Sequence, residues 1–263
     1  MKDKKKNDYI IFWLSQAVSQ LGSSMTSYAL IIWSYKQTHS AMSVSIMTFC
    51  SYLPYVLISI FAGSFVDKHT KKRILMISDT IAACCSVAVF VLLSFNALQI
   101  WHIYIVNAIV GFMNAFQSPA TSVVIGIMVP KDKYEQASGM DSFASNLVTF
   151  VAPMLAGILS FSNLRMIIFI DLITFIFATV ILAFLVEIKE KSIDISMKKK
   201  KKIDEFMEGY AFLKVHKGIF YIMLSMSFIN FFSRLTYENI LSPMILARTD
   251  GNSAILGFVS GEL

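Results

Sequence analysis

Long stretches without a charged residue dominate this chain of 263 residues. One of them runs from Thr80 to Pro130 without an Asp, Glu, Lys or Arg. A helix needs about 20 apolar residues to cross roughly 30 Å of hydrocarbon, and in lipid a helix satisfies its own backbone hydrogen bonds. Because 56% of the residues are hydrophobic and only 15% are charged, we predict an all-α integral membrane protein.

The uncharged stretches divide into seven predicted spans, and "SAILGFVSGEL" near the chain end reads as the start of an eighth. Their predicted bounds are 9–35, 41–66, 74–93, 101–128, 137–160, 166–186 and 218–246. We interpret the first as an uncleaved helix, because its apolar run is longer than that of a signal peptide. The predicted organisation is six spans in residues 1–186, a long loop at 187–217, and a second group of spans beginning at 218–263.

Lys and Arg are distributed unevenly between the two sides of the predicted membrane. Nineteen lie before the first span, in the second–third and fourth–fifth connections or in the 187–217 loop, and three lie in the alternate connections. This bias predicts a cytoplasmic N-terminus. The run Lys198 to Lys202 is expected to attract anionic lipid headgroups rather than nucleic acid, since spans flank its loop. Residues 203–214 have the spacing of an amphipathic helix on the same face.

One charge cluster, "GSFVDKHTKKRIL" from Gly63 to Leu75, lies between the second and third predicted spans. A basic cluster at this place would act as an anchor by the positive-inside rule. Asp67 does not fit that purpose, because a carboxylate near the end of a helix needs a partner. Gly63, one turn earlier, would permit a close helix approach.

This pattern resembles the signature loop that the major facilitator superfamily of transporters carries between its second and third spans. The matching positions are Gly63, Asp67, Lys68, Lys71 and Lys72. Lys68 and Lys71 replace the usual arginines, and lysine cannot form the bidentate fork of arginine. The resemblance implies a half of six helices built from two inverted three-helix repeats, and a latch formed by Asp67 and its basic neighbours.

Four further segments resemble the drug-efflux branch that includes macrolide-type exporters: "SQAVSQLGSSM", "FQSPA", "APMLAG" and "EGYAFLKVHKGIF". This resemblance implies a cell-membrane carrier that exports a small molecule by alternating access, coupled to protons and without a cofactor. Uptake or export of a metabolite or siderophore by the same fold is the alternative. An integral-membrane enzyme or an inactive transporter fragment is the alternative of another class, although the chain has no hydrolase elbow or zinc-protease motif.

Three spans carry polar residues at helical spacing, which places each set on one face. Such faces line a cavity or form hydrogen bonds between helices, and we favour the cavity because the spans are the first, fourth and seventh. The predicted cavity residues are Gln16, Gln20, Ser23, Ser27, Asn107, Asn114, Gln117, Asn230, Arg234 and Glu238.

Charged residues inside spans are costly and therefore suggest function. Asp171 is a candidate for proton coupling, with helix packing as the alternative. Glu238 is a second candidate, or pairs with Arg234. Asp79 is predicted to pair with Lys72 or Arg73. No catalytic residue, metal site or disulfide is predicted.

Overall fold

The structure is a computed structural model. It describes residues 2–159, 163–186, 188, 211, 213–234, 236, 240–249, 252, 255, 256, 258 and 259, with side chains from Asp8 onward. All regular structure in these residues is helical, and none of them lies in a strand.

Eight α-helices are described. Their bounds are α1 Lys2–Thr38, α2 Ala41–Lys68, α3 Lys71–Ser94, α4 Ile100–Met128, α5 Tyr134–Leu159, α6 Leu164–Val180, α7 Lys217–Arg234 and α8 Ser242–Arg248. A 3₁₀ turn at Lys131–Lys133 leads into α5, and the π-helical segment Ile181–Leu185 extends α6.

The first six helices match the predicted spans to within a few residues at most ends, apart from the polar N-terminal extension of α1. The seventh predicted span is described as α7 and α8, with residues 235 and 237–239 outside the described part. The predicted amphipathic helix of 203–214 also lies outside it, apart from positions 211, 213 and 214, which are helical.

Five of the described helices are long and apolar enough to cross a membrane: α2, α3, α4, α5 with its 3₁₀ turn, and α6 with its π-helical extension. The 37-residue α1 is not among them. Between Tyr9 and Tyr35 it carries nine Ser, Thr and Gln residues, which lower its mean hydropathy. We infer that α1 needs protein neighbours for this polar surface.

Short connections make successive helices antiparallel. Residues 39–40 join α1 to α2, and residues 69–70 join α2 to α3. The end of the bundle that holds the α2–α3 and α4–α5 connections is termed the basic end here. It carries Lys68, Lys71, Lys72, Arg73, Lys131 and Lys133.

The packing of the six helices follows a repeated scheme. α2 packs mainly against α4, and α5 packs against α1; α1 also contacts α6, and α4 contacts α3. If α1, α2 and α3 are replaced by α4, α5 and α6 respectively, and the reverse, these same pairs of helices are in contact. The α3–α6 pair corresponds to itself. Since α1 begins at the basic end and α4 at the opposite end, the two three-helix units are inverted repeats, as predicted.

Two apolar clusters close the bundle at its two ends. The cluster at the basic end includes Phe12, Leu75, Val124 and Leu182. The cluster at the opposite end includes Leu30, Val89, Ile103 and Ile168. A third cluster joins α1 to α5 and α6, and it contains Ala152 and Ala156 of the "APMLAG" segment. The small residues of that segment thus serve close packing against α1.

Candidate substrate path and buried carboxylates

A polar layer lies between the two end clusters. Each of α1, α3, α4 and α6 contributes residues to both end clusters. The polar residues of these helices lie between the two contributions. Two carboxylates belong to this layer: Asp79 on α3, 7% exposed, and Asp171 on α6, 3% exposed. Apolar side chains therefore separate both carboxylates from either end of the bundle.

Asp171 is held by hydroxyl groups from two other helices. Ser23 on α1 donates to Oδ1 at 3.0 Å, and Ser86 on α3 donates to Oδ2 at 3.0 Å. Thr26, one turn further along α1, also lies beside this carboxylate. Asp171 thus joins α1, α3 and α6 inside the bundle.

The approach of α1 to α6 at this point depends on Gly22. A Cβ atom there would lie 3.1 Å from the Cα of Asp171 and 3.2 Å from its Oδ1. It would also collide with the Thr174 hydroxyl. The absence of a side chain at position 22 lets the Ser23 hydroxyl reach the carboxylate.

Asp79 is held by the amide of one glutamine and lies beside a second glutamine. Gln117 on α4 donates from Nε2 to Oδ1 at 2.6 Å. Gln16 on α1 is also beside the carboxylate, although its buried Nε2 has no hydrogen-bond partner at ordinary distance among the described residues. The carboxylate therefore connects α3 to α4 and lies beside α1.

The prediction that Asp79 pairs with Lys72 or Arg73 is wrong. Lys72 instead donates from Nζ to the carbonyl oxygens of Ala183, at 3.0 Å, and Val186, at 2.8 Å. Two helical turns, about 10 Å, separate residues 72 and 79 along α3. The carbonyls at the end of α6 lack helical partners and are a nearer acceptor for the ammonium group.

Two other lysines of the predicted gating motif bind locally. Lys71, although 8% exposed, donates to the backbone oxygen of Asp67 at 3.2 Å. Lys68 donates to Ser64 Oγ at 3.1 Å. These contacts, together with those of Lys72, fix the end of α2, the start of α3 and the end of α6.

The other two motif residues face outward. Among the described residues, no side chain or backbone group donates a hydrogen bond to the exposed Asp67 carboxylate. A Cβ atom at Gly63 would have no atom of the described chain within 4 Å. The close helix approach predicted at Gly63 is therefore not made by any described helix.

The predicted polar face of α1 divides in two. Gln20 and Ser27 are exposed on the outside of the bundle. Gln16 and Ser23 contact the two buried carboxylates. Gln16 and Ser23 therefore lie at contacts between helices, as the alternative to a cavity proposed, although Ser23 is exposed like Gln20 and Ser27.

The face of α4 divides in the same way. Asn107 donates to the Met47 carbonyl of α2 at 3.3 Å, and Gln117 donates to the Asp79 carboxylate of α3. Gly111 is buried against the backbone of Ser51. Asn114 remains exposed, so it and Gln20 are the amides that are left open on these two helices.

The third predicted face is not brought against the other two by the described residues. Every described side chain in 217–233 is exposed. Asn230 donates to the carbonyl oxygen of Met226 on its own helix at 2.8 Å. The side chains of Arg234 and Glu238 lie outside the described part of the chain.

The helix α5 carries a polar face that the sequence interpretation missed. Its members are exposed or half-buried, while Ala144, Val148 and Ala152 on the other side are buried. The face consists of Ser138, Asp141, Ser142, Ser145, Asn146 and Thr149. Their spacing of three and four residues is the signal that would have identified it.

These features define a membrane bundle of two inverted three-helix repeats with open polar faces on α1, α4 and α5. The chain belongs to the Major Facilitator Superfamily, whose sequence profile matches residues 12–261. With five helices able to cross a bilayer, it is a multi-pass membrane protein.

The chain is also similar to several named transport proteins. The chain is 29% identical over 220 residues to macrolide efflux protein A of Streptococcus pyogenes, which covers 83% of this chain and 54% of the relative. It is 29% identical over 186 residues to macrolide efflux protein A of Enterococcus faecalis, covering 70% and 57%. It is 30% identical over 122 residues to the staphyloferrin A transporter of Staphylococcus aureus, covering 46% and 31%.

The chain spans about half the length of the macrolide efflux proteins that it matches.

Proposed function

We propose that this chain provides the N-terminal six-helix half, residues 1–186, of a secondary transporter that exports drugs or other small amphipathic molecules. Residues 187–217 form the connecting loop, and 218–263 begin the second half. The observation that carries the proposal is the similarity to two macrolide efflux proteins over most of this chain. Macrolides are therefore the first substrates to test, and the protein is proposed to act as a carrier without an enzymatic step.

The open polar positions support a substrate path. Gln20, Ser27 and Asn114 are exposed on the first helices of the two repeats, where polar side chains facing lipid would be unfavourable. We assign these positions, with the α5 polar face, to a cavity between the two halves. Alternating access would open this cavity to one side of the membrane at a time.

We further propose that export is driven by protons, with the buried Asp171 as a coupling carboxylate. A carboxylate at such a depth is costly as an anion and therefore able to change charge with its surroundings. The other candidate, Glu238, lies outside the described residues. Residues of the connecting loop, Lys198 to Lys202 among them, are assigned to the anionic headgroups of the cytoplasmic leaflet.

A second candidate function is transport of a siderophore. It is favoured by the 30% identity to the staphyloferrin A transporter, although this covers only 46% of the chain. Measuring the transport of radiolabelled erythromycin and of labelled staphyloferrin A in the same cells distinguishes the two candidate functions. Movement of the siderophore alone would establish the second function.

The direct test measures erythromycin accumulation in susceptible bacteria that express the full-length protein. We expect lower accumulation than in cells carrying the empty vector, and equal accumulation after a protonophore collapses the gradient. Equal accumulation in energised cells, with the protein present in the membrane, would refute macrolide export.

The cavity is tested by substituting Gln20 or Asn114 by cysteine, with native cysteines replaced. Ile173 on α6, 51% exposed, is the control for a lipid-facing position. We expect a charged methanethiosulfonate reagent to modify cysteines at 20 and 114 but not at 173, because a thiol in lipid does not ionise. Equal resistance at all three positions would assign the two amides to lipid or packing instead.

We place the protein in the cell membrane with its N-terminus and basic end in the cytoplasm, following the distribution of Lys and Arg. A cysteine at Lys198 should resist a membrane-impermeant maleimide in intact cells and react after lysis. Phe95, 79% exposed at the opposite end, is the control that should react in intact cells. The reverse result would invert the topology.

A further inference from the structure

We propose that His102, at the start of α4, forms a pH-sensitive helix cap that loosens the opposite end of the bundle when the surrounding solution becomes acidic. The sequence interpretation gave this histidine no role. The inference deepens the proposed function and rests on its topology, because that topology exposes this end to the outside of the cell. It does not depend on which substrate is carried.

The cap is formed within residues 99–102. Gln99 is the N-cap residue of α4, and its backbone N–H donates to Nδ1 of His102 at 3.0 Å. His102 is the third residue of the helix, the position from which a capping box returns a side-chain acceptor to the N-cap amide. The first N–H groups of a helix have no partner within the helix, so this acceptor stabilises the start of α4.

This contact requires the neutral form of His102. Nδ1 accepts a hydrogen bond only when it carries no proton, whereas both ring nitrogens of an imidazolium are donors. A protonated Nδ1 would direct a second N–H at the Gln99 N–H. The positive charge would also lie at the N-terminus of α4, where the helix dipole disfavours a cation. Both effects have the same sign, so protonation breaks the cap.

Trp101 gives the charged ring a second position. Its ring lies over that of His102, with 3.7 Å between the ring centroids, and its Nε1 donates to Oε1 of Gln99 at 2.6 Å. An indole face attracts a cation, so an imidazolium is favoured against Trp101 but not at the Gln99 amide. Because Trp101 is exposed, the stacked pair can turn outward together. The histidine thus leaves the cap without losing its stacking.

Other charged groups at this end do not oppose the response. In the described part of the chain, the His102 side chain has hydrogen bonds and ring contacts only with Gln99 and Trp101. The Asp171 carboxylate of α6 is held by hydroxyl groups from α1 and α3. The charged members of the titratable set at this end are cations, which also disfavour an imidazolium. Among the described residues this set consists of Tyr35, Lys36, His39, Tyr104, Arg165 and Arg248.

The cap adjoins the apolar cluster that closes this end of the bundle. Leu98 precedes the cap and Ile103 follows it, and both are buried members of that cluster. Their positions are those of a hydrophobic staple, which fixes the angle at which the chain enters a helix. Release of the cap therefore loosens the packing that separates the polar layer from the solution at this end.

His69, at the basic end, has the reverse arrangement and provides an internal comparison. It is the C-cap residue of α2, and its Nδ1 lies 2.8 Å from the carbonyl oxygen of Phe65. A carbonyl oxygen only accepts hydrogen bonds, so Nδ1 carries a proton there. The helix dipole favours a cation at a C-terminus. Acid should therefore preserve the contact of His69 while it breaks the cap at His102.

The protonation states are tested by nitrogen NMR of the full-length protein in lipid nanodiscs, with the histidine rings isotope-labelled. The signals are assigned from His102→Gln and His69→Gln. At about pH 7.5, above the ordinary range of histidine, we expect Nδ1 of His102 to be unprotonated and Nδ1 of His69 to carry a proton. A protonated Nδ1 at His102 under these conditions would overturn the proposal.

Loosening is tested by hydrogen–deuterium exchange at residues 98–104, with rates corrected for the intrinsic effect of pH. In the wild type we expect protection to fall roughly 10-fold between about pH 7.5 and about pH 5, since histidine gains its proton at about pH 6.5. His102→Gln supplies an acceptor that does not titrate and should keep protection in acid, whereas His102→Ala should lack it throughout. A loss of protection in His102→Gln equal to that in the wild type would contradict the proposal.

The effect on the carrier is tested with a cysteine at Gln20 and an impermeant maleimide added to intact cells. Rates are divided by those of a cysteine at the exposed Phe95 of the same end, which removes the effect of pH on the thiol. We expect this ratio to rise several-fold in acid when His102 is present and to stay constant in His102→Gln. The same rise in both backgrounds would refute control of this end by the cap.

These outcomes are separable from those of the proposed function. If erythromycin is not exported but the cap responds to acid as described, only the proposed function fails. If the cysteine at Gln20 never reacts, the proposed cavity fails, and hydrogen exchange alone decides whether the cap is pH-sensitive. An inverted topology would refute exposure of the cap to external acid.

Discussion

At the scale of single residues, Gly111 lies where α4 meets the backbone of α2. A Cβ atom there would be 3.1 Å from the Cα of Ser51 and 2.8 Å from its carbonyl carbon, and the Ser51 carbonyl oxygen would be closer still. Backbone cannot move aside as the end of a flexible side chain can. The α2–α4 contact therefore has no room for even one methyl group.

We predict that Gly111→Ala lowers the stability of the detergent-solubilised protein by about 1–3 kcal/mol, the usual cost of overpacking. The measurement is the midpoint of thermal unfolding. Gly126→Ala on the same helix is the matched control, because a Cβ atom there would have no neighbour within 4 Å. That substitution should raise the midpoint slightly, since alanine favours helix over glycine. Equal effects of the two changes would contradict the crossing geometry.

Residue-level roles were only partly predictable from the sequence. Helical spacing predicted that the polar residues of α1 and of α4 each share one face of their helix. It did not reveal which helix occupies the space opposite, so Asn107 and Gln117 were assigned to a cavity although they bond to α2 and α3. Asp79 was assigned to a lysine because sequence distance was the only available measure of proximity. Partners on other helices become visible only when the helices are packed.

At the scale of elements, Lys72 connects the start of α3 to the end of α6. Its Nζ donates to two carbonyls, those of Ala183 and Val186, at the π-helical end of α6. Hydrogen bonds to a charged group contribute about 1.5–3 kcal/mol each, more than neutral ones. The lysine therefore holds the last turn of α6, directly before the connecting loop, against the gating motif.

We predict that Lys72→Met loosens this last turn while leaving the bundle folded. Hydrogen–deuterium exchange should become roughly 10-fold faster or more at amides of residues 181–186, as expected if local opening becomes easier by about 1.4 kcal/mol. Lys131→Met, at an exposed position of the same end, is the control and should leave exchange in this segment unchanged. Unchanged exchange in Lys72→Met would show that the apolar packing of Leu182 alone holds the turn.

The elements themselves were predicted more successfully than their roles. Uncharged runs and charge clusters located six helices, because a membrane span must be both long and apolar. The polar face of α5 was missed, because cavity residues were predicted only on the first helix of each repeat and α5 is a second helix. Because Ala144 and Val148 on the opposite side of α5 are buried, the polar face is the open side of this helix.

At the scale of the whole molecule, the described six-helix bundle is closed internally and open on one side. The latch role that we propose for Asp67 belongs to that open side. Its carboxylate is exposed and accepts no hydrogen bond from the described residues, while Gly63 has open space in front of it. Lys68 and Lys71 have local acceptors and Lys72 donates to the end of α6, so the three lysines act first as supports of the turn and of that helix end.

An exposed carboxylate beside an open glycine is suited to receive a further helix that the six-helix bundle does not supply. If that contact holds one conformation closed, neutralising Asp67 shifts the balance between the two conformations. A loss of about 1–3 kcal/mol changes such an equilibrium roughly 5- to 150-fold. An anchor role predicts the opposite, because removing a negative charge from a basic turn strengthens cytoplasmic retention without affecting transport.

We therefore predict that Asp67→Asn lowers erythromycin export per molecule of inserted full-length protein, with membrane abundance near that of wild type. Reactivity of a cysteine at Gln20 should change in the same variant, because the cavity would spend a different fraction of time open to each side. Asp132→Asn removes an exposed carboxylate from the other connection at the basic end and should alter neither quantity. Unchanged export and unchanged reactivity in Asp67→Asn would leave the motif as a topological anchor. A shift in reactivity without a loss of export would place the contact outside the rate-limiting step of transport.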